Sequence, residues 1–306
     1  MYYYILILFL ILTILTLYQS NHVEIYRYMK LRNINNISHY DDKYLCKDRI
    51  NSKRKVVISL TTIPDRIDKL KPTLCSLLDN TKRVDEIAIN IPYKTIKGDR
   101  YKIPKWLKSL KNVKIYRVDK DYGPSTKLLP TLLRESSKTI IIVVDDDVIY
   151  GSKTIESYID EFYNRNCKDA LTIFGAFVTK KLQIENEKSP TWLRFRKCQY
   201  VDLLMGHNSF LVTKEMFKDL SKVFDYESAP NECKWVDDIW FSGWLNYFGI
   251  KIFSIANKKG CIPITNFENI DCSTSLCFTQ NDTSHNNDKC IKWFYKNKKV
   301  KFLIHK

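Results

Sequence analysis

The 306 residues hold 44% hydrophobic and 27% charged side chains, the balance of a folded globular chain, which excludes an intrinsically disordered one. That length accommodates one large domain or two small ones. Fifty Lys and Arg against 34 Asp and Glu leave a net charge of +16, suited to an anionic nucleotide or membrane; nucleic acid is not expected, since the lysines are spread throughout and no helix-turn-helix, zinc-finger or RNA-recognition pattern accompanies them.

Tyr2 to Tyr18 is apolar apart from tyrosines and two threonines. Seventeen residues at a helical rise reach roughly 25 Å, enough for a thin bilayer, with tyrosines at both ends where interfacial aromatics belong. A basic start and a small-residue cleavage site are missing, so residues 1–18 are expected to be an uncleaved single-pass transmembrane anchor rather than a signal peptide. Arg27, Lys30 and Arg32 after the span point the C-terminal part to the cytoplasm. Asn36-Ile-Ser38 and Asn281-Asp-Thr283 fit the glycosylation pattern and point to the lumen. The side stays open between cytoplasmic and lumenal (ER- or Golgi-like).

Residues 19–53 are polar and without sustained periodicity, and are expected to form a stem. The catalytic domain then runs over 54–306. Val56 to Leu60 opens it as a strand, with Thr61-Thr-Ile-Pro-Asp-Arg66 as the loop at its end. Leu70, Leu74, Leu77 and Leu78 share one helical face, with Pro72 in the first turn. Strands follow at Glu86 to Ile91 and Val113 to Val118, with a short helix at Trp106 to Leu110 between them. Asp121 to Lys127 is a turn leading into a helix with Leu128, Leu129, Leu132 and Leu133. Thr139-Ile-Ile-Ile-Val-Val is a β-branched run of the kind buried on both faces of a sheet, and it ends in Asp145, Asp146 and Asp147. Ala170 to Phe177 reads as another strand, and Gly206-His-Asn208 as a loop. A helix starts at Asp237-Asp238, repeats Trp240, Trp244 and Phe248, and stops at Gly249. Ile250 to Phe253 is a late strand. Strands alternating with helices predict an α/β fold with a parallel or mixed sheet and no internal repeat.

Nine cysteines stand at 46, 75, 167, 198, 233, 261, 272, 277 and 290. None forms a Cys-x-x-Cys pair, which argues against a zinc ribbon or a thioredoxin-like site. Four lie after residue 260 and would permit disulfides in an oxidising compartment. An odd total leaves at least one thiol unpaired.

Three adjacent carboxylates at a strand end repel one another, and a divalent cation removes that cost. Hard oxygens suit Mn²⁺ or Mg²⁺, which in turn binds a diphosphate. If the backbone stays extended, Asp145 and Asp147 point one way and Asp146 the other. Asp237 and Asp238, beside Trp235 and Trp240, form a second cluster. Rings near carboxylates can grip a sugar, and one carboxylate can accept a proton from a hydroxyl. Helix capping and a tryptophan core stripe are the plainer account of the same residues; Trp244 and Phe248 are expected in the core.

Ser59-Leu-Thr-Thr-Ile-Pro-Asp-Arg66, Tyr122-Gly-Pro-Ser-Thr-Lys-Leu-Leu-Pro130, Val143-Val-Asp-Asp-Asp147 and Trp235-Val-Asp-Asp-Ile-Trp240 together resemble the ordered motifs of small, family-2-like nucleotide-sugar glycosyltransferases of large DNA viruses and microbes. The resemblance runs from about residue 55 to 290. It implies a GT-A fold, a Rossmann-like mixed central sheet with helices on both faces. It implies transfer of a hexosyl or deoxyhexosyl group from a nucleotide-sugar donor to a glycan, glycoprotein or glycolipid acceptor. Carried over by position, Asp145 and Asp147 match the metal motif, with His285 at the place of a late metal ligand. Thr61, Thr62, Arg66, Asp121, Gly123, Lys127 and Asp146 match the donor site, Lys127 as an offset to diphosphate charge. Asp238 corresponds to the general base of inverting members and Asp237 to its neighbour, with Trp235, Trp240 and His207 toward the acceptor.

Two rival classes share some of these features. A two-metal nucleotidyltransferase also places aspartates at strand ends. A membrane-anchored carbohydrate-binding protein could keep an inactive transferase fold. No Gly-x-x-x-x-Gly-Lys motif is present, which excludes a P-loop enzyme.

Overall fold

The computed structural model describes residues 22–185, 198–205, 209–255, 264–265 and 285–303. The anchor expected at 1–18 lies outside them, as does His207. Among the described residues no helix is long and apolar enough to cross a membrane.

The β-branched runs set the architecture. Strands β1 (Val56–Thr61), β2 (Glu86–Pro92), β3 (Val113–Val118) and β4 (Ile140–Val143) are joined by helical segments. All four run parallel, in the order β3-β2-β1-β4. β4 is buried throughout, as an unbroken Ile-Ile-Ile-Val run requires. Beyond β4 the sheet continues through the antiparallel β10 (Phe210–Thr213), then β6 (Ala170–Thr172), β11 (Ile252–Ser254) and the edge strand β8 (Gln199–Val201). This gives an eight-stranded mixed sheet. Two small antiparallel pairs flank it: β5 (Val148–Ile149) with β12 (Ile264–Thr265), and β7 (Gly175–Ala176) with β9 (Leu203–Leu204).

One strand expected from sequence is broken. Ala170 to Phe177 divides into β6 and β7 because hydroxyls intercept the ladder: Tyr158 accepts from Ile173 N and Thr172 donates to the Phe174 carbonyl.

The stem boundary also moves. Residues 22–53 were expected to stand apart, yet they form α1 (His22–Arg32) and α2 (Ser38–Tyr44), packed on the domain. Leu31, Ile37, Tyr40, Tyr44 and Ile50 join the core. The buried Asp41 carboxylate accepts from the backbone N–H groups of Lys111 and Asn112. Arg27 donates through Nη1 to the Tyr150 carbonyl (2.6 Å) and through Nη2 to the Ser76 carbonyl (2.9 Å), with Nε on Asp79 (2.7 Å). Ser76 belongs to α3 (Lys71–Leu78), which carries Pro72 in its first turn.

Among the described residues the remaining helices are α4 (Lys105–Lys108), α5 (Leu129–Arg134), α6 (Thr154–Asn164), α7 (Leu220–Phe224), α8 (Asp237–Tyr247) and α9 (Asn286–Asn297). α8 is apolar almost all round because α9 covers it. Phe294 of α9 sits so close to Gly243 that a Cβ there would lie 2.3 Å from the ring. Only glycine lets the two helices approach this far.

Candidate active site

Because β1 to β4 are parallel, the loops after each of them emerge at one edge of the sheet, the place where open α/β sheets bind ligands. Thr62 and Arg66 follow β1, Tyr101 follows β2, Asp121 to Lys127 follow β3, and the three aspartates follow β4.

The aspartates do not alternate as an extended strand would place them. β4 stops at Val143, and Asp146 and Asp147 lie in a turn. Arg66 therefore reaches two neighbours at once, with Nη2 3.0 Å from Asp146 Oδ1 and Nη1 3.0 Å from Asp147 Oδ2. Asp145 instead meets Lys127, whose Nζ donates to Oδ1 at 2.7 Å. Asp146 is buried; its Oδ2 accepts from the Thr62 hydroxyl at 2.6 Å, and its carbonyl from Thr73. Behind the turn the buried Tyr150 hydroxyl accepts from Asp145 N at 2.7 Å. Tyr150 is itself held by Arg27 of α1, so the expected stem props the aspartate turn.

Lys127 joins the two acidic clusters. Its ammonium is buried, 2.7 Å from Asp145 and 2.9 Å from Asp237 Oδ2, the latter an ion pair without hydrogen-bond alignment. Burial alone would lower its pKa, but Asp145, Asp237 and Asp238 outweigh burial and shift it upward. Arg66 follows the same logic, with Asp146, Asp147 and Asp145 overcoming its burial. Two cations thus face five carboxylates, and the excess negative charge shows in the acids. Burial, then Asp146 and Asp145, push the Asp147 carboxyl up to about 7. Burial, only partly offset by Lys127, does the same to Asp237, also to about 7. Asp146 is raised by burial as well.

That uncompensated charge, carried on hard oxygens, fits a divalent cation at Asp145 and Asp147. His285 is exposed, at the left-handed residue (φ 51°) that precedes α9. Among the described residues no three His, Cys, Asp or Glu side chains converge as a metal cluster, so His285 is not gathered with the two aspartates.

The other expected donor residues hold the loops. Thr61 donates to the Asn90 carbonyl. Asp121 accepts from Gly123 N and Thr126 Oγ1 through Oδ1, and from Ile96 N through Oδ2, which closes its own turn and fastens the next loop. Gly123 stands at φ +60°, a backbone open to glycine, and faces Trp235 and the Lys234 carbonyl. Its turn, Gly123–Lys127, is a 3-10 helix rather than an open loop.

Of the residues expected toward an acceptor, the two tryptophans part company. Trp240 was expected toward a sugar but is fully buried, stacked on Tyr226 at 4.3 Å and on Trp293 at 5.6 Å, with Nε1 donating to the Val223 carbonyl. It belongs to the core because Tyr226 and α9 close over it. Trp235 stays half-buried. Asp237 is buried against Lys127, while Asp238, in the same first turn of α8, is partly exposed.

Tyr101, Tyr150 and Arg27 were not anticipated. Tyr101 donates to the Thr62 carbonyl at 2.9 Å. Its phenol is pushed up by burial and by Asp121 and Asp146. No local motif marks any of the three; Tyr101 reaches a carbonyl 39 residues away and Arg27 one 123 residues away.

No family model and no curated protein matches the chain. Solved structures that resemble it include GalNAc-T7 with UDP, GalNAc and Mn²⁺, at 11% identity over 72% of this chain and 50% of that one, with a TM-score of 0.46. Another is residues 1–349 of S. aureus TarS, at 15% identity over 67% of this chain and 58% of that one, with a TM-score of 0.43. The chain thus spans 50% and 58% of those two molecules. At such distances the chemistry has to come from the residues of this chain.

Proposed function

We propose that the chain is a metal-dependent glycosyltransferase of GT-A type that moves a sugar from a nucleoside-diphosphate donor to a hydroxyl acceptor with inversion. The observation that carries this reading is Lys127, which binds Asp145 and Asp237 together and so makes one site of an acidic turn and an acidic helix start. A site with a cation-seeking turn on one side and a partly exposed carboxylate on the other matches the two halves of such a transfer.

Asp145 and Asp147 would hold Mn²⁺ or Mg²⁺, which supplies charge stabilisation to the departing nucleoside diphosphate. The protein's own groups do the rest. Arg66 holds the Asp146 and Asp147 carboxyls close together, and Tyr101 and Thr62 pin the loop that borders the donor. The acceptor hydroxyl attacks the anomeric carbon opposite the leaving diphosphate. Asp238, partly exposed, takes the hydroxyl proton as the carbon–oxygen bond forms. Asp237 is already committed to Lys127 and positions rather than reacts. Trp235, half-buried between the Gly123 turn and α8, offers a ring to the acceptor sugar.

The test is a panel of nucleotide sugars scored by thermal stabilisation with and without Mn²⁺. The matching donor at 100 times its Kd should add about 2.7 kcal/mol, and chelator should remove that gain. A panel with no stabilising donor would count against the reading.

A further inference from the structure

The aspartate turn is held from behind by its backbone. Asp145 N donates to the buried Tyr150 hydroxyl at 2.7 Å, and the Thr73 hydroxyl donates to the Asp146 carbonyl at 3.0 Å. Tyr150 N in turn donates to Ser76 Oγ at 3.0 Å, which fixes that residue against α3. α1 closes the arrangement. The Arg27 guanidinium spans three acceptors: the Tyr150 carbonyl at 2.6 Å, the Ser76 carbonyl at 2.9 Å and Asp79 Oδ2 at 2.7 Å. One turn earlier on the same helix, Glu24 accepts from Ser152 N at 3.2 Å and from the Ser152 hydroxyl. Two side chains of α1 thus grip Tyr150 and Ser152, just beyond the aspartates.

We propose that Arg27 is a positioning residue that sets the divalent-metal affinity of Asp145 and Asp147 from outside the site, acting through Tyr150. This rests on the metal reading given above. A metal ligand set tolerates errors of only about 0.5 Å, and groups that orient the ligands without touching the ion govern its affinity. Tyr150 is such a group for Asp145, because its hydroxyl fixes the backbone N–H of the residue that carries the carboxylate. Its side chain is fully buried, so the hydroxyl moves only as the Tyr150 backbone moves. Arg27 fixes that backbone at its carbonyl and ties it to α3 through the Ser76 carbonyl. The planar fork is what permits three acceptors at once. A lysine ammonium is a point charge that cannot span Asp79 and both carbonyls.

The plainer role for Arg27 is to fasten α1 to the domain. The two roles part in what they do to the metal. A fastener changes the melting temperature and leaves the affinity of the folded protein alone. A positioning residue changes the affinity where the protein is still folded.

The deciding experiment titrates the full chain with Mn²⁺ alone and reads the free ion by electron paramagnetic resonance, well below the melting temperature of each variant. Arg27→Lys keeps a charge beside Asp79 and Tyr150→Phe keeps the ring, and each should weaken Mn²⁺ binding about 10–100-fold. The double variant should bind no more weakly than the more affected single one, since both changes act on one path. Leu31→Ala, which loosens α1 at a fully buried position, should melt lower yet bind Mn²⁺ as wild type does. Wild-type affinity in Arg27→Lys, additive losses in the double variant, or an equal loss in Leu31→Ala would each overturn the proposal. A wild-type chain that binds no Mn²⁺ would overturn the metal reading itself, and this inference with it.

Discussion

Lys127 and the carboxylates around it make opposite demands. Removing the ammonium by Lys127→Met leaves Asp145 and Asp237 facing each other without their shared cation, and loss of one partner of a buried pair costs about 3–5 kcal/mol. The variant should therefore show a reduced denaturant midpoint as well as lost donor binding. An unchanged midpoint would mean that water, not Lys127, satisfies the two acids. The acids also impose a pH dependence. Asp237 has an ordinary value of 3.8 and is held at about 7 in the folded chain. Between those values the native state binds the proton that the unfolded state has released, so its contribution to stability falls as pH rises across that window. Asp237→Asn should flatten part of this fall in the metal-free protein, read as denaturant midpoints near the two ends of the window. An undiminished fall would place the proton elsewhere. The two aspartates of α8 should further separate by role. Asp238→Asn keeps shape and one acceptor oxygen but cannot take a proton, so turnover should drop about 10²–10⁴-fold with donor affinity and melting temperature retained. Asp237→Asn should act mainly through Lys127, on stability and donor binding. If Asp237→Asn abolished turnover while Asp238→Asn spared it, the roles would be reversed.

At the level of elements, the N-terminal helices change what a minimal domain is. Leu31, Ile37, Tyr40, Tyr44 and Ile50 are all buried in the core. At about 1.5–3 kcal/mol for each large apolar side chain, their loss approaches the whole stability of a domain, about 5–15 kcal/mol. A chain shortened to begin at residue 54 should aggregate or melt far below one that begins at residue 22. Equal melting of the two would show that α1 and α2 only rest on the surface. These helices escaped the sequence reading because their buried positions are few and interrupted. Asp41 is buried as a polar cap for another loop, which no apolar pattern signals. The strands were legible for the opposite reason: Val56 to Leu60 and the Ile140 run are continuous, apolar and rich in β-branched residues, and Val113 to Val118 alternates. Trp240 misled because a ring beside Asp238 suits a sugar as well as a core. What decides between them is α9, more than forty residues downstream, whose Trp293 closes over that ring.

Across the whole molecule, the site is a product of topology. The edge of the parallel half of the sheet collects the loops after β1 to β4, and the 3-10 turn at Lys127 meets the start of α8 from the other half. Asp145-Asp146-Asp147 and Asp237-Asp238 were each visible as motifs. Their junction through one buried lysine was not, because a charge pair spanning 110 residues leaves no local trace. Tyr101 and Arg27 were hidden likewise, each acting through a backbone group far away in the chain. The central claim is that these two clusters form one site for glycosyl transfer. Its most direct test is release of nucleoside diphosphate from the donor that stabilises the protein, measured with acceptor present, in Mn²⁺ and in chelator, for wild type and Asp238→Asn. The account predicts release from wild type in Mn²⁺, none in chelator, and a rate lowered at least about 100-fold in the variant. Release that ignored both the chelator and the substitution would contradict it.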